Sequence, residues 1–355
     1  MNDLVKLGWE ESSSPSVNLN TIARVITVQR NSYRISDGRY EYIAHVSGKF
    51  FNEVNSSMDF PAVGDWVVVE KLIDEKKAVI KELLPRKTQF VRQAAGDKTE
   101  AQLVAANLDT IFIVGSLNDD LNVRRMERYI ISAYESGASP VIVLTKKDMC
   151  KADEIATIMS ELEEVSIGIP IVTLSSITGE GITEFMSYLP PRKTAALLGS
   201  SGVGKSTLVN VLLEEQVQLT NAIRENDSKG RHTTTHREMF LLKNGGLLID
   251  TPGMRELQLW EGEHAIDTAF EDIEAFVTAC YFTDCKHDTE PGCRVKDALN
   301  SGELSEARFQ SYLKLQRELA YEKRKQDQKA QLEEKNKWKQ LTKNMKTRYK
   351  NRRYK

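Results

Sequence analysis

Eight residues, Gly199-Ser200-Ser201-Gly202-Val203-Gly204-Lys205-Ser206, form a G-x-x-x-x-G-K-S run, and the chemistry open to such a run is phosphate binding. Glycines let the backbone N–H groups turn toward phosphate oxygens at a helix start. Lys205 adds a point charge for the β- and γ-phosphates, the Ser206 hydroxyl can ligate Mg²⁺, and Thr207 follows in the same first turn. The surroundings agree, because Ala195-Ala196-Leu197-Leu198 reads as a strand leading in and Thr207 to Leu213 as a helix leading out. A glycine-rich turn without a ligand is the competing reading, and nothing about it calls for strand, loop and helix in that order.

Base selection points upstream. Pro140-Val141-Ile142-Val143-Leu144 reads as a buried parallel strand ending in Thr145-Lys146-Lys147-Asp148, which resembles the N-K-x-D element of GTPases with Thr in place of Asn. The Asp148 carboxylate only accepts hydrogen bonds, so it suits the N1–H and N2–H₂ donors of guanine and finds no such pair on adenine. A second strand, Ile169 to Leu174, runs into Ser175-Ser176-Ile177, similar to the S-A-K loop whose backbone N–H meets guanine O6. Either stretch alone is compatible with a surface turn; two of them at strand C-terminal ends favour GTP over ATP.

Downstream of the phosphate loop, Arg231-His232-Thr233-Thr234-Thr235-His236 lies in the polar segment 221–237, and Gly246 to Gly253 contains a D-x-x-G element at a strand end. Asp250 is expected to hold Mg²⁺ through water, the Gly253 N–H to sense the γ-phosphate, and Thr234 or Thr235 to close over Mg²⁺ as a switch. Met254 follows Gly253, where many small GTPases carry the glutamine that orients the attacking water, so slow basal hydrolysis is expected. His232 is the candidate substitute, with a solvated loop histidine as the alternative.

Three of the four cysteines crowd one window, Cys280-x₄-Cys285-x-His287-x₅-Cys293, while Cys150 stands apart as a small apolar residue. Three thiolates and an imidazole make a closed tetrahedral set of the structural Zn²⁺ type. A catalytic ion would need an open position, and a reducing cytosol disfavours the disulfide alternative.

In this order, T-K-K-D, S-S-I, G-S-S-G-V-G-K-S, H-T-T-T, D-T-P-G and C-x₄-C-x-H-x₅-C, the motifs resemble the circularly permuted ribosome-associated GTPases of the RsgA (YjeQ) type over roughly residues 20 to 315. The resemblance implies an N-terminal OB-fold, a central permuted GTPase domain using GTP/GDP and Mg²⁺, and a C-terminal domain with one Zn²⁺. It further implies action in late maturation of the small ribosomal subunit and contact with its rRNA. This chain departs from the pattern at Thr145, at Ile177 and in a long C-terminal tail.

These elements must be positioned by a chain of 355 residues, 40% hydrophobic, which is long enough for two or three cored domains. The expected organisation is an arm (1–20), an OB-type β-barrel (21–98), an α/β permuted GTPase domain (99–260), a zinc-binding α domain (261–315) and a helical extension with a basic tail (316–355). Short apolar strands with turns at Asp37-Gly38 and Gly64-Asp65 suit the barrel, whose alternatives are an oligonucleotide-binding surface or a module that only docks on its neighbour. Pro85 to Lys98 reads as a basic connector, and Ser305 to Glu334 as a helix.

Charge is uneven: Lys335 to Lys355 holds ten Lys or Arg and no acid, so a tail of +10 offsets a remainder of −12, and Trp338, Tyr349 and Tyr354 are interleaved as in segments that contact RNA. No signal-like start and no apolar run near ~18 residues is seen, so a soluble cytoplasmic protein without membrane contact is expected; a monomer is expected as well. Two other classes compete with the GTPase reading: a P-loop ATPase, and an RNA-binding assembly module in which GTP is structural.

Overall fold

The computed structural model describes residues 3–10, 18–29, 32–54, 56–93, 101–118, 121–220, 237–250, 263–321 and 323–324. Five strands come first: β1 (Ile22–Val28), β2 (Tyr33–Ser36), β3 (Glu41–Val46), β4 (Trp66–Leu72) and β5 (Lys77–Leu83), with the short helix α1 (Gly48–Glu53) between β3 and β4. Their pairing runs β1-β2-β3-β5-β4 and returns from β4 to β1, which closes a barrel; β3 and β5 are parallel and the other pairs antiparallel. Period-two alternation explains the packing. On β3, Tyr42 and Ala44 point in while Glu41, Ile43 and His45 point out, and the barrel core is completed by Val25, Ile35, Val67 and Ile80.

β6 (Gln89–Gln93) and β7 (Ala101–Ala106) form an antiparallel pair, so the stretch read as a basic connector contains a strand. The alternating segment follows: β8 (Thr110–Ser116), α2 (Val123–Ser136), β9 (Ser139–Thr145), α3 (Ala152–Glu163), β10 (Ile171–Thr173), α4 (Ile182–Ser187), β11 (Thr194–Leu198), α5 (Lys205–Thr220), β12 (Glu238–Leu241) and β13 (Leu247–Asp250). The sheet order is β10-β9-β8-β11-β13-β12, parallel except for β12. β8, β11 and β13 are buried along their whole length, as strands of a parallel sheet covered on both faces should be.

β12 also meets β1, through Thr27 opposite Glu238, and Arg34 Nη2 pairs with Glu238 Oε1 at 2.6 Å. Barrel and α/β layer thus share one eleven-stranded sheet, and one apolar cluster runs from Leu4, Trp9 and Trp66 to Ile111, Leu198 and Ile249. Arg24 sits inside this unit at 1% exposure. Its guanidinium donates to the carbonyls of Leu7, Gly64 and Asn107 and lies 5.1 Å from the Trp66 ring, and burial pushes its pKa down to about 10.

The chain divides into two compact units, Met1–Leu259 with Asp267–Ala269, and Trp260–Ile266 with Phe270–Lys355; the division falls in α6 (Glu263–Ala269). The second unit holds α7 (Glu271–Thr278), α8 (Arg294–Ser301) and a helix over 306–321, the last inside the stretch expected to be helical. Phe270, Ile273, Val295, Phe309 and Tyr312 are buried there. Arg308 stacks 4.4 Å from the Phe270 ring and binds Asp272 through Nε at 3.1 Å and Nη2 at 2.9 Å. Among the described residues no helix is long and apolar enough to cross a membrane.

Candidate nucleotide site and metal centre

The phosphate loop leaves the C-terminal end of β11, and α5 begins at Lys205. Gly202 and Gly204 adopt φ of +83° and +95°, a region costly for side-chain-bearing residues, and this lets the loop turn its N–H groups inward at the helix start. Ser201, Ser206 and Thr207 are exposed, whereas Val203 is buried under the loop. Lys205 Nζ donates to the carbonyls of Gly199 and Ser200, both at 2.6 Å. Burial lowers the pKa of its ammonium, and the Asp250 carboxylate partly opposes that shift. The lysine is therefore held at the loop, with a charge that phosphate oxygens can draw off the carbonyls.

Neighbouring strands bring the other residues to the same edge. β8 and β13 flank β11, so Asp250, 8% exposed at the end of β13, stands beside the loop. β9 ends at Thr145, 2% exposed, whose hydroxyl donates to Val203 O and lies 3.2 Å from Gly115 O. The threonine thus ties the T-K-K-D stretch to the phosphate loop, where the sequence alone suggested a base contact.

Lys146 has a left-handed backbone, φ +62°, which turns the chain so that Asp148 is exposed. Ser175, beyond β10, donates from Oγ to Asp148 Oδ1 and accepts there from the N–H groups of Ile177 and Thr178, both at 3.2 Å. A short polar loop can hold itself this way. Ser176 Oγ is buried without a hydrogen-bond partner among the described residues, next in the chain to the serine that holds the Asp148 carboxylate. An orphaned hydroxyl and an oriented acceptor fit the edge of a guanine base.

Sequence reasoning missed Arg125 and Tyr129 of α2, which reach Ser200 Oγ at 2.8 and 3.3 Å. No motif spacing flags them, since they approach the loop only through packing of α2 beside the sheet. His232, Thr234, Thr235, Gly253 and Met254 lie outside the described residues.

In the second unit, Cys280, Cys285, His287 and Cys293 converge, their ligand atoms all within 4.8 Å of one another. Cys280 Sγ and Cys293 Sγ are 4.0 Å apart, and they lie 3.6 and 3.5 Å from His287 Nδ1. Bond lengths of about 2.3 Å to sulfur and about 2.0 Å to nitrogen give tetrahedral edges of about 3.8 and about 3.5 Å, so the set has the dimensions of a zinc site. Burial opposes ionisation of Cys280, yet backbone hydrogen bonds from Val295 and Arg294, together with hydrogen bonds from Cys293 and Cys285, outweigh it and lower its pKa. Cys285 is pushed up to about 11, chiefly by burial. None of the four cysteines is joined in a disulfide.

The comparisons with known proteins agree with this geometry. A family model described as RsgA GTPase matches residues 83–260. The small ribosomal subunit biogenesis GTPase RsgA 1 of Oceanobacillus iheyensis is 46% identical over 338 residues, covering 95% of this chain and 96% of that protein. Among solved structures, YjeQ from Thermotoga maritima aligns with a TM-score of 0.64 at 27% identity, covering 84% of this chain and 98% of that one. YloQ, described as a circularly permuted GTPase, aligns at 0.62 and 23% identity with coverage of 84% and 94%, a likeness of fold.

Proposed function

The chain belongs to the RsgA GTPase family, and from that premise we propose that it binds GTP with Mg²⁺ at the ends of β9, β10, β11 and β13 and spends its hydrolysis on the small ribosomal subunit, the particle its relative is named for. The observation that carries the reading is that Asp148, Ser175, the phosphate loop and Asp250, distant in the chain, meet at one edge of a parallel sheet.

Each residue's work follows from its chemistry. Asp148 accepts from guanine N1–H and N2–H₂, with Ser175 fixing the carboxylate and Ser176 beside O6. Loop N–H groups from Gly202 to Ser206 and the ammonium of Lys205 receive the phosphates, Lys205 leaving the two carbonyls it now holds. Mg²⁺, when bound, neutralises charge that develops on the β- and γ-oxygens; Ser206 would ligate it directly and Asp250 through water. We assign Thr234 or Thr235 to switch closure, Gly253 to the γ-phosphate, and His232 to the water that Met254 cannot orient.

Beyond the GTPase layer, the domain bounds 21–98, 99–260 and 261–315 are our reading, with one Zn²⁺ on the cysteine–histidine set and rRNA contact by the barrel and the tail. Action as a cytoplasmic monomer belongs to the same proposal. The test is GTP turnover by the full chain alone, with purified small subunits and with large subunits. The expected result is slow basal turnover raised on the order of tenfold or more by small subunits only. Equal rates in all three conditions would remove the ribosomal role.

A further inference from the structure

A cavity of about 870 Å³ opens between the barrel and the β6–β7 pair, sharing no described lining residue with the phosphate loop or Asp148. Its size falls within the range of about 300–1,000 Å³ typical of sites for small organic groups. Tyr33, Phe51, Phe60, Arg92 and Arg237 contribute to its wall, and none of its described lining residues is acidic. Arg92 Nε donates to Gln102 Oε1 and Arg237 Nη1 to Leu103 O, each at 3.0 Å, so both guanidiniums are braced by neutral acceptors, with no carboxylate paired to either among the described residues.

Burial first, and then the charge of Arg92, pushes Arg237 down to about 10. Two like charges at one wall, partly withdrawn from water, are relieved by an anion held between them. In the same lining, Phe51 is 61% exposed on α1, with its ring 5.8 Å from that of Phe60 at a tilt of 59°. An exposed phenyl ring braced by another offers a π-face on which a base can stack.

We propose that this cavity holds one nucleotide of single-stranded RNA, its phosphate between Arg92 and Arg237 and its base on Phe51. A site with two cations, aromatic faces and no acid among its described lining residues suits a nucleoside phosphate, whereas an acidic peptide would leave the ring platform unused. The inference deepens the RNA-facing part of the proposed function and rests on that reading for its biological setting only.

The test is fluorescence anisotropy of a labelled, unstructured RNA hexamer on the full chain, with saturating GDP filling the nucleotide site. Arg92→Glu should weaken hexamer binding about tenfold or more and flatten its salt dependence by about one unit of log–log slope. Phe51→Ala should weaken it about tenfold with the salt slope kept, since stacking releases no counterion. GDP affinity should stay unchanged in both, which shows that the fold is intact.

Hexamer affinity equal to wild type in both variants, or no hexamer binding by the wild type, overturns the proposal. Displacement of the hexamer by micromolar AMP overturns it in favour of a free nucleotide. Weakened binding in both variants by a protein that small subunits do not stimulate sustains the cavity and removes the ribosomal reading instead.

Discussion

Thr145 shows how one side chain can serve two loops. Its hydroxyl, buried under the site, donates to Val203 of the phosphate loop while its backbone starts the turn that carries Asp148. Valine keeps the shape and removes the donor, so Thr145→Val leaves a buried carbonyl without its partner, a loss of about 1–3 kcal/mol. The expected outcome is a lower melting temperature together with weaker GDP binding, read by thermal unfolding with and without GDP. A variant with both values unchanged would show the hydroxyl to be idle.

At this scale the sequence was most informative where the residue type alone has a use: Asp148 as an acceptor pair, Lys205 as a charge, three thiols near one imidazole. It was silent where the use depends on tertiary approach, as for Arg125 and Tyr129 at Ser200. Arg24 is a middle case. A lone arginine within Ile22-Ala23-Arg24-Val25-Ile26 breaks an apolar strand, and that break was the available sign of a buried clamp.

Among the elements, the strands that position the site were legible because parallel strands covered on both faces must be apolar throughout. β6 was not, since Gln89-Phe90-Val91-Arg92-Gln93 contains only two apolar residues and finds its partner in β7. The joining of β12 to β1 was hidden for a different reason: among the described residues it rests on one register pair, Thr27 with Glu238, and on an ion pair from Arg34 of β2, and neither leaves a pattern in the chain.

The cysteine–histidine element was legible in its residue types and acquires its dimensions only from folding, with α8 presenting N–H groups to Cys280. Because such a small unit gains much of its folding free energy from the ion, Cys285→Ser should cut bound zinc from about one equivalent to well below half. The same variant should unfold its C-terminal unit at lower temperature and leave GTP affinity in place. Elemental analysis of protein purified without added metal checks the first point, and full zinc retention by the variant would contradict the assignment.

For the molecule as a whole, permutation changes the order in which the chain writes its motifs without changing where the sheet puts them. β9 and β10, with the base loops, precede β11 and the phosphate loop in sequence, yet β8 alone separates β9 from β11 in the sheet. The charge division between a +10 tail and a −12 remainder was equally plain in the sequence, and that tail lies outside the described residues. On our proposal, these separated segments make a single guanine-nucleotide site. The most direct measurement is the affinity of Asp148→Asn for GTP and for XTP, since an amide can donate to the 2-oxo group of xanthine where the carboxylate accepts from guanine. Two charge-assisted hydrogen bonds are at stake, so GTP binding should fall by a factor on the order of 100 while XTP binding rises. Undiminished GTP affinity with no gain for XTP would contradict the account.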